Sequence, residues 1–308
     1  MFNEETNYPN GLTSLGIPLI GSGYIPVTNS KYLFVDGTNG NDGADGLSLT
    51  TSLKTIKAAN DRALANDVIL VLPGTYTEAV VTTVAGLHFI ALGTATNSVV
   101  WTSLTDTYSL TIGASNTEVS GFRFKCPVHT AGTPAAIKLN GANYAHIHNN
   151  RFSGQTGSWY AIYSPICNSD NVSILNNEFI YMNTATNGAA IFGVEAGGLS
   201  YSAWKIKGNS FNSCVTAVNI NGRVCSVMDN TFDVVGLTAA GTIGTVCTLG
   251  LDLSGTSSGG NQVHRNYFNG AYTATLYKVG ASGDDWSGNF AIGGGTGVAG
   301  GITTANPA

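Results

Sequence analysis

The chain has 308 residues, of which 10% are charged, with 40 Gly and a formal net charge of −5. With 13 Lys+Arg against 18 Asp+Glu it offers no basic stripe, which excludes a nucleic-acid-binding role. No apolar run approaches the ~20 residues of a membrane-spanning helix, which excludes insertion by helices.

Residues 1–30 form the first segment. Pro9, Pro18 and Pro26 punctuate an apolar stretch that is too rich in Pro and Gly for a helix. We expect an extended arm that docks through Leu15, Ile17, Leu19, Ile20 and Tyr24 onto another polypeptide, or folds back along its own chain. Met1 is followed by Phe-Asn-Glu-Glu, which is not a basic and apolar secretory leader, so the expected place of synthesis is the cytoplasm.

Residues 31–67 read as a cap. Asp36, Asn41, Asp42 and Asp45 make an oxygen-rich loop, which suits either Ca²⁺ or ordinary Asp/Asn turns. A helix is predicted from Ser52, its N-cap, to Ala65, with Leu53, Ile56, Ala59, Ala63 and Leu64 on its apolar face. A solenoid exposes core at its open end, and such a helix would cover it.

Residues 68–292 carry a repeat. Val68 to Leu72 and Leu87 to Leu92 read as strands of two early coils. From there a second motif recurs: Ile147 to Phe152, Ile174 to Phe179, Ile206 to Phe211, Val227 to Phe232 and Val263 to Phe268, with degraded copies ending at Phe124 and Phe290. The Phe spacings of 28, 27, 32, 21, 36 and 22 residues imply stacked coils with loops of varying length. Five residues before each Phe, from Val119 to Val263, stands Val or Ile, as at an inward strand position. Two residues before it stands Asn150, Asn177, Asn209, Asn230 or Asn266. These asparagines are expected to supply a left-handed corner and to bond the coils above and below. An alternating apolar segment precedes each motif, with Thr111, Lys138, Tyr163, Phe192, Asn219, Asp252 and Tyr277 facing outward. Residues 293–308 are a Gly-rich tail.

The run from Tyr32-Leu-Phe-Val-Asp36 through Gly40-Asn-Asp-Gly43 and Lys54-Thr-Ile-Lys-Ala58 to Pro73-Gly-Thr-Tyr-Thr-Glu78 resembles the opening of right-handed parallel β-helix proteins of the pectin lyase-like superfamily. The resemblance implies an all-β, right-handed parallel β-helix with one short N-terminal helix. It implies no particular activity, because that superfold hosts lyases, hydrolases, epimerases, phage tailspikes and inert virion proteins. Asp284-Asp285 is similar to the paired aspartates of polygalacturonases, but the accompanying Asn-Thr-Asp, Gly-His-Gly and Arg-x-Lys motifs are missing.

No catalytic residue is assigned. Hydrolysis needs two carboxyls within ~5–9.5 Å, and the outward acids Glu118 and Asp284 are six coils, or ~29 Å, apart. Asp284, Asp285 and Asp252 come nearest to the requirement, and a site between subunits could add Glu195 or Asp233. His146 and His148 share a face and read as solvated surface residues, because no further ligand lies near them in sequence. Arg151 and Glu178 read as a surface ladder pair. Tyr163 and Phe192 suit a subunit contact or a sugar platform. The five Cys, odd in number and irregular in spacing, read as core fillers with neither disulfide nor zinc framework. The resulting expectation is a non-enzymatic protein of a tailed-phage virion surface, a capsid decoration protein or short fibre. It would be a homotrimer docked through its arm to the major capsid protein or another virion protein, needing no cofactor and free to touch a host glycan. The alternatives are a small tailspike-type depolymerase and a carbohydrate-binding adhesin.

Overall fold

The structure is a computed structural model that describes residues 13–14, 17–18, 30–93, 97–103, 106–128, 130, 132–155, 157–182, 188–194, 200–233, 249–253, 255, 258–269, 277–278, 283–292 and 301–303. Successive coils feed three long sheets. Among the described residues sheet 1 has nine strands, from Tyr32–Val35 to Gln262–His264. Sheet 2 has ten, from Gly74–Thr77 to Gly301–Thr303, and sheet 3 has eight, from Val80–Thr82 to Tyr277–Lys278. Neighbouring strands pair in parallel, except that Gly301–Thr303 runs antiparallel to Asn289–Ile292. This is a right-handed parallel β-helix. Its first sheet begins with Tyr32–Val35 paired to Val68–Val71, so the coil expected from Val68 already has a strand before it.

The core lies between the sheets and is continuous from Leu33 to Trp286. Val119, Ile147, Ile174, Ile206, Val227 and Val263 are wholly buried in sheet 1, as their shared position predicts. Phe124, Phe152, Phe179, Phe211, Phe232 and Phe268 form one stack in sheet 2, with ring centroids 4.6 to 5.0 Å apart. Stacked aromatics of this size dominate core energetics through buried area. Cys126, Cys214 and Cys225 are buried free thiols, and burial raises the pKa of Cys126.

The asparagine corner differs in one detail from the expectation. The left-handed residue is the one before each asparagine: Asn149, Asn176, Gly208, Asp229 and Arg265 have φ of 53° to 68°. The following Asn then turns its amide into the corner. Asn177 donates through Nδ2 to Ile147 O at 2.9 Å and to Asn209 Oδ1 at 3.1 Å, while its own Oδ1 accepts from Asn150 N at 2.9 Å. The same bonds repeat through Asn150, Asn209, Asn230 and Asn266 and end at Asn289.

The last copy of the motif is shifted by one residue. Tyr267 pairs with Phe290 and Phe268 with Ala291, so Phe290 faces outward at 37% exposure; beside sheet 1 Asp285 bridges to Gln262, so the buried Trp286 takes the inward place expected for Asp285. In sheet 3, likewise, Leu251 pairs with Tyr277 and Asp252 with Lys278, one residue off the expected register.

The helix spans Ile56–Arg62 (α1), shorter than predicted, and its N-cap is Thr55, whose side chain accepts from Ala58 N. Ser52 and Leu53 instead lie beside sheet 1, Leu53 bridging to Val35. The free N–H groups of Ile56 and Lys57 are taken by the two carboxylate oxygens of Glu78 at 3.0 and 2.8 Å. Local pattern marked the helix, and a distant residue set its start. Among the described residues no helix is long and apolar enough to cross a membrane.

Candidate functional site

Three neighbouring strands of sheet 1 bring His88, Glu118 and His146 into one cross-strand row, on the face opposite the buried Phe89, Val119 and Ile147. His148, two residues beyond His146, projects from the same face. Glu118 bridges them. Its Oε2 lies 2.5 Å from His88 Nδ1 and its Oε1 lies 2.7 Å from His148 Nε2. The side chains of Glu118 and His148 are both only 12% exposed. Asn149 Nδ2 sits 3.0 Å from His148 Nδ1, which leaves the proton of His148 on Nε2, pointing at Glu118.

Electrostatics follow from this packing. Burial pushes the Glu118 carboxyl up, but the hydrogen bonds and charges of His148 and His88 outweigh it and hold the carboxyl at about 2. His146 stacks on His148 with centroids 4.2 Å apart. Burial and then His148 lower its pKa against the pull of Glu118, so the neutral imidazole is favoured. Its Nε2 is buried without a hydrogen-bond partner. One donor atom each from Glu118, His146 and His148 lies within 4.8 Å of the others, the spacing of a possible metal-ligand set.

The expectation that His146 and His148 are solvated and lack a further ligand is therefore corrected, because the fold delivers Glu118 from the previous coil. His88 escaped the sequence reading altogether. Its coil lacks the Asn-x-Phe signature, so no alignment placed it beside Glu118. Its one signal is a His in an otherwise apolar strand.

The other singled-out residues are dispersed. Asp284 turns inward and accepts from Asn261 N at 2.9 Å, whereas Asp285 faces out and lies 3.3 Å from His264 Nε2. The two adjacent carboxylates thus serve different faces, and Asp284 is not the outward acid it was expected to be. Asp252 is 8% exposed on sheet 3, while Asp233 belongs to sheet 2. Glu195 lies outside the described residues. Arg151 Nε lies 3.3 Å from Glu178 Oε2, the expected ladder pair. Tyr163 and Phe192 stack with Tyr160 on the outer face of sheet 3, and Tyr163 is only 6% exposed there.

The carboxylates of the candidate calcium loop are already engaged. Asp36 accepts from Thr38 N and Asn39 N, Asp45 from Leu47 N, and Asp42 from Lys54 N, Thr55 N and Thr55 Oγ1. These are turn and cap bonds that tie the loop to the start of α1. Of the arm, Leu15, Leu19, Ile20 and Tyr24 lie outside the described residues. For Ile17 only the backbone is described, in a two-residue strand antiparallel to Thr13–Ser14.

No protein-family model matches the sequence, and no curated protein matches it. Solved structures do share its architecture. An alginate lyase from Paenibacillus sp. str. FPU-7 superposes with a TM-score of 0.54 at 14% identity, over 70% of this chain and 73% of that one. A rhamnogalacturonan lyase gives 0.51 at 14% identity, over 80% and 70%. The shared architecture is the parallel β-helix. At such identity the likeness is one of fold alone. Within this parallel β-helix the His88–Glu118–His148 bridge belongs to the particular residues of this chain.

Proposed function

We propose that the chain is a non-enzymatic structural protein of a tailed-phage-like particle, a capsid decoration protein or short fibre whose work is stiffness and contact. The observation that carries this reading is how Glu118 is used. Both of its oxygens are held by imidazoles from the flanking coils, and its carboxyl stays ionised down to about 2. A glycosidase acid needs the reverse, a raised pKa and a second carboxyl within ~5–9.5 Å. Glu118 instead ties three coils together. The Asn and Phe ladders do the same along the rest of the rod. A homotrimer anchored through residues 1–30 to a capsid or other virion protein is the assembly that goes with this role. Quantitative analysis of purified particles tests it: many copies per particle are expected, and absence from particles overturns it. Deleting residues 2–28 should leave the β-helix spectrum intact and abolish incorporation.

A polysaccharide lyase is the second reading. It is favoured by two observations: both structural neighbours described above are named as polysaccharide lyases, and His146 is held neutral with an unpartnered Nε2. In β-elimination a neutral imidazole removes the proton next to a uronate carboxylate. Incubation with alginate, rhamnogalacturonan and host-surface acidic glycans should then generate unsaturated uronate absorbance that His146→Ala abolishes. No absorbance on any of them retires this reading.

A further inference from the structure

We propose that Glu118, His146 and His148 form a binding site for a divalent metal of the zinc class, with His88 holding the carboxylate in position. The inference rests on geometry and goes beyond both functional readings.

Two imidazoles at i and i+2 of one strand face the same way, and the parallel register sets a carboxylate beside them. The three donors lie within 4.8 Å of one another. A tetrahedral zinc with bonds of ~2.0–2.2 Å wants donors about 3.4 Å apart, so the widest separation closes by up to about 1.4 Å while the 2.7 Å contact between Glu118 and His148 opens to admit the ion. Side-chain rotation on the outer face of the sheet supplies that movement without disturbing the strands.

The second observation is the orphan nitrogen. His146 Nε2 is buried and bonds to nothing. Buried polar atoms are nearly always satisfied, and an exception calls for a missing water or ion. The side chains of His88, Glu118 and His148 each have a hydrogen-bond partner in or beside the cluster. His88 Nδ1 occupies Glu118 Oε2, which leaves Oε1 to face the histidine pair. Such an outer-shell contact is what orients a ligating carboxylate.

The donor set selects the metal. Two nitrogens and one oxygen suit zinc, cobalt, nickel or copper, whereas Ca²⁺ asks for six to eight oxygens. On binding, the metal replaces the proton between His148 and Glu118. That proton moves to His148 Nδ1, and Asn149 rotates its amide to accept it through Oδ1. Three protein ligands leave the fourth position to water. The metal would join the coil of Glu118 to that of His146, adding a cross-coil link where the Asn ladder has only begun.

The test uses the full, untagged chain stripped with a chelator. Zn²⁺ titration followed by calorimetry and melting should show a single equivalent bound and a melting temperature that climbs with free zinc, as any native-state ligand requires. Ca²⁺ and Mg²⁺ should produce neither. His146→Ala is the decisive variant, because the His146 ring makes no hydrogen bond whose loss would weaken the metal-free fold. It should melt like the parent without metal and bind zinc at least tenfold more weakly. His88→Ala should weaken zinc by about 10–100-fold. No zinc-dependent change in the parent, or unchanged affinity in His146→Ala, overturns the proposal.

Discussion

From Phe122 to Phe268 each coil closes on the next through the same two contacts, whereas before it only Trp101, stacked on Phe124 at 24°, joins the series. In the regular region an Asn amide bonds both neighbours at every corner, and the sheet 2 rings lie nearly parallel, tilted by only 6° to 9°. In the early region Phe89, Trp101 and Phe122 meet at 46° and 56°. Single-use polar contacts replace the ladder there. Glu78 and Thr55 cap α1, and Asp67 accepts from Lys31 N and Leu64 N. A repeat can use one residue type again and again because each coil meets an identical neighbour. The end of a solenoid meets a different surface on each side and needs individual solutions. The Glu118 cluster lies at the seam: Glu118 opens the strand Glu118–Ser120, four residues before Phe122, whose N–H makes the first bond of the ladder.

Three substitutions sharpen this contrast. The largest effect is expected for Phe179→Ala in the middle of the stack, at ~3–5 kcal/mol, the usual cost of truncating a buried aromatic. Chemical denaturation would measure it, with Lys207→Ala as a surface control. A loss no greater than the control would mean the stack is not what holds the regular coils.

A smaller loss is expected from Asn209→Ala. It strips the acceptor from Asn177 N and the donor from Ile174 O, both buried. At ~1–2 kcal/mol for each group, the lower part of the usual cost of an unsatisfied buried polar group, a total of about 2–4 kcal/mol is expected. Hydrogen exchange should show opening at the corners of the adjoining coils while α1 stays protected. Opening that spreads equally to α1 would erase the distinction between the two regions.

The smallest effect belongs to Glu78→Gln in the early region, and it should depend on pH. Burial raises the Glu78 carboxyl above its ordinary value of 4.5, against the backbone N–H groups of Lys57 and Ile56. A raised folded pKa means its contribution is full below about 4.5 and declines as pH rises through the folded value. The stability of the parent relative to the Gln variant should therefore fall between mildly acid and neutral pH. A difference that stays flat with pH would show that burial does not govern this carboxyl.

How much of this was legible in the sequence differs by region. The Ile/Val, Asn and Phe columns could be read because a repeat states the same constraint many times, and their shared period revealed coils, sheets and inward faces together. Even there, a one-residue slip at Phe290 and at Tyr277 passed unnoticed, since a single degraded copy has nothing to correct it. The start of α1 was misplaced because Ser52 and Thr55 are equally good local caps. Glu78, more than 20 residues away, favours the second.

The sequence by itself determined the architecture: a parallel β-helix of stacked coils with a helix at its beginning, because inward and outward positions alternate with a period that survives any loop length. Only the tertiary structure decided which outward residues meet. Loop length sets which side chain of one coil lands beside which of the next, and loops carry no period. Hence His88, Glu118 and His148, each thirty residues from its partner, converge on one carboxylate, while the adjacent Asp284 and Asp285 part to opposite faces.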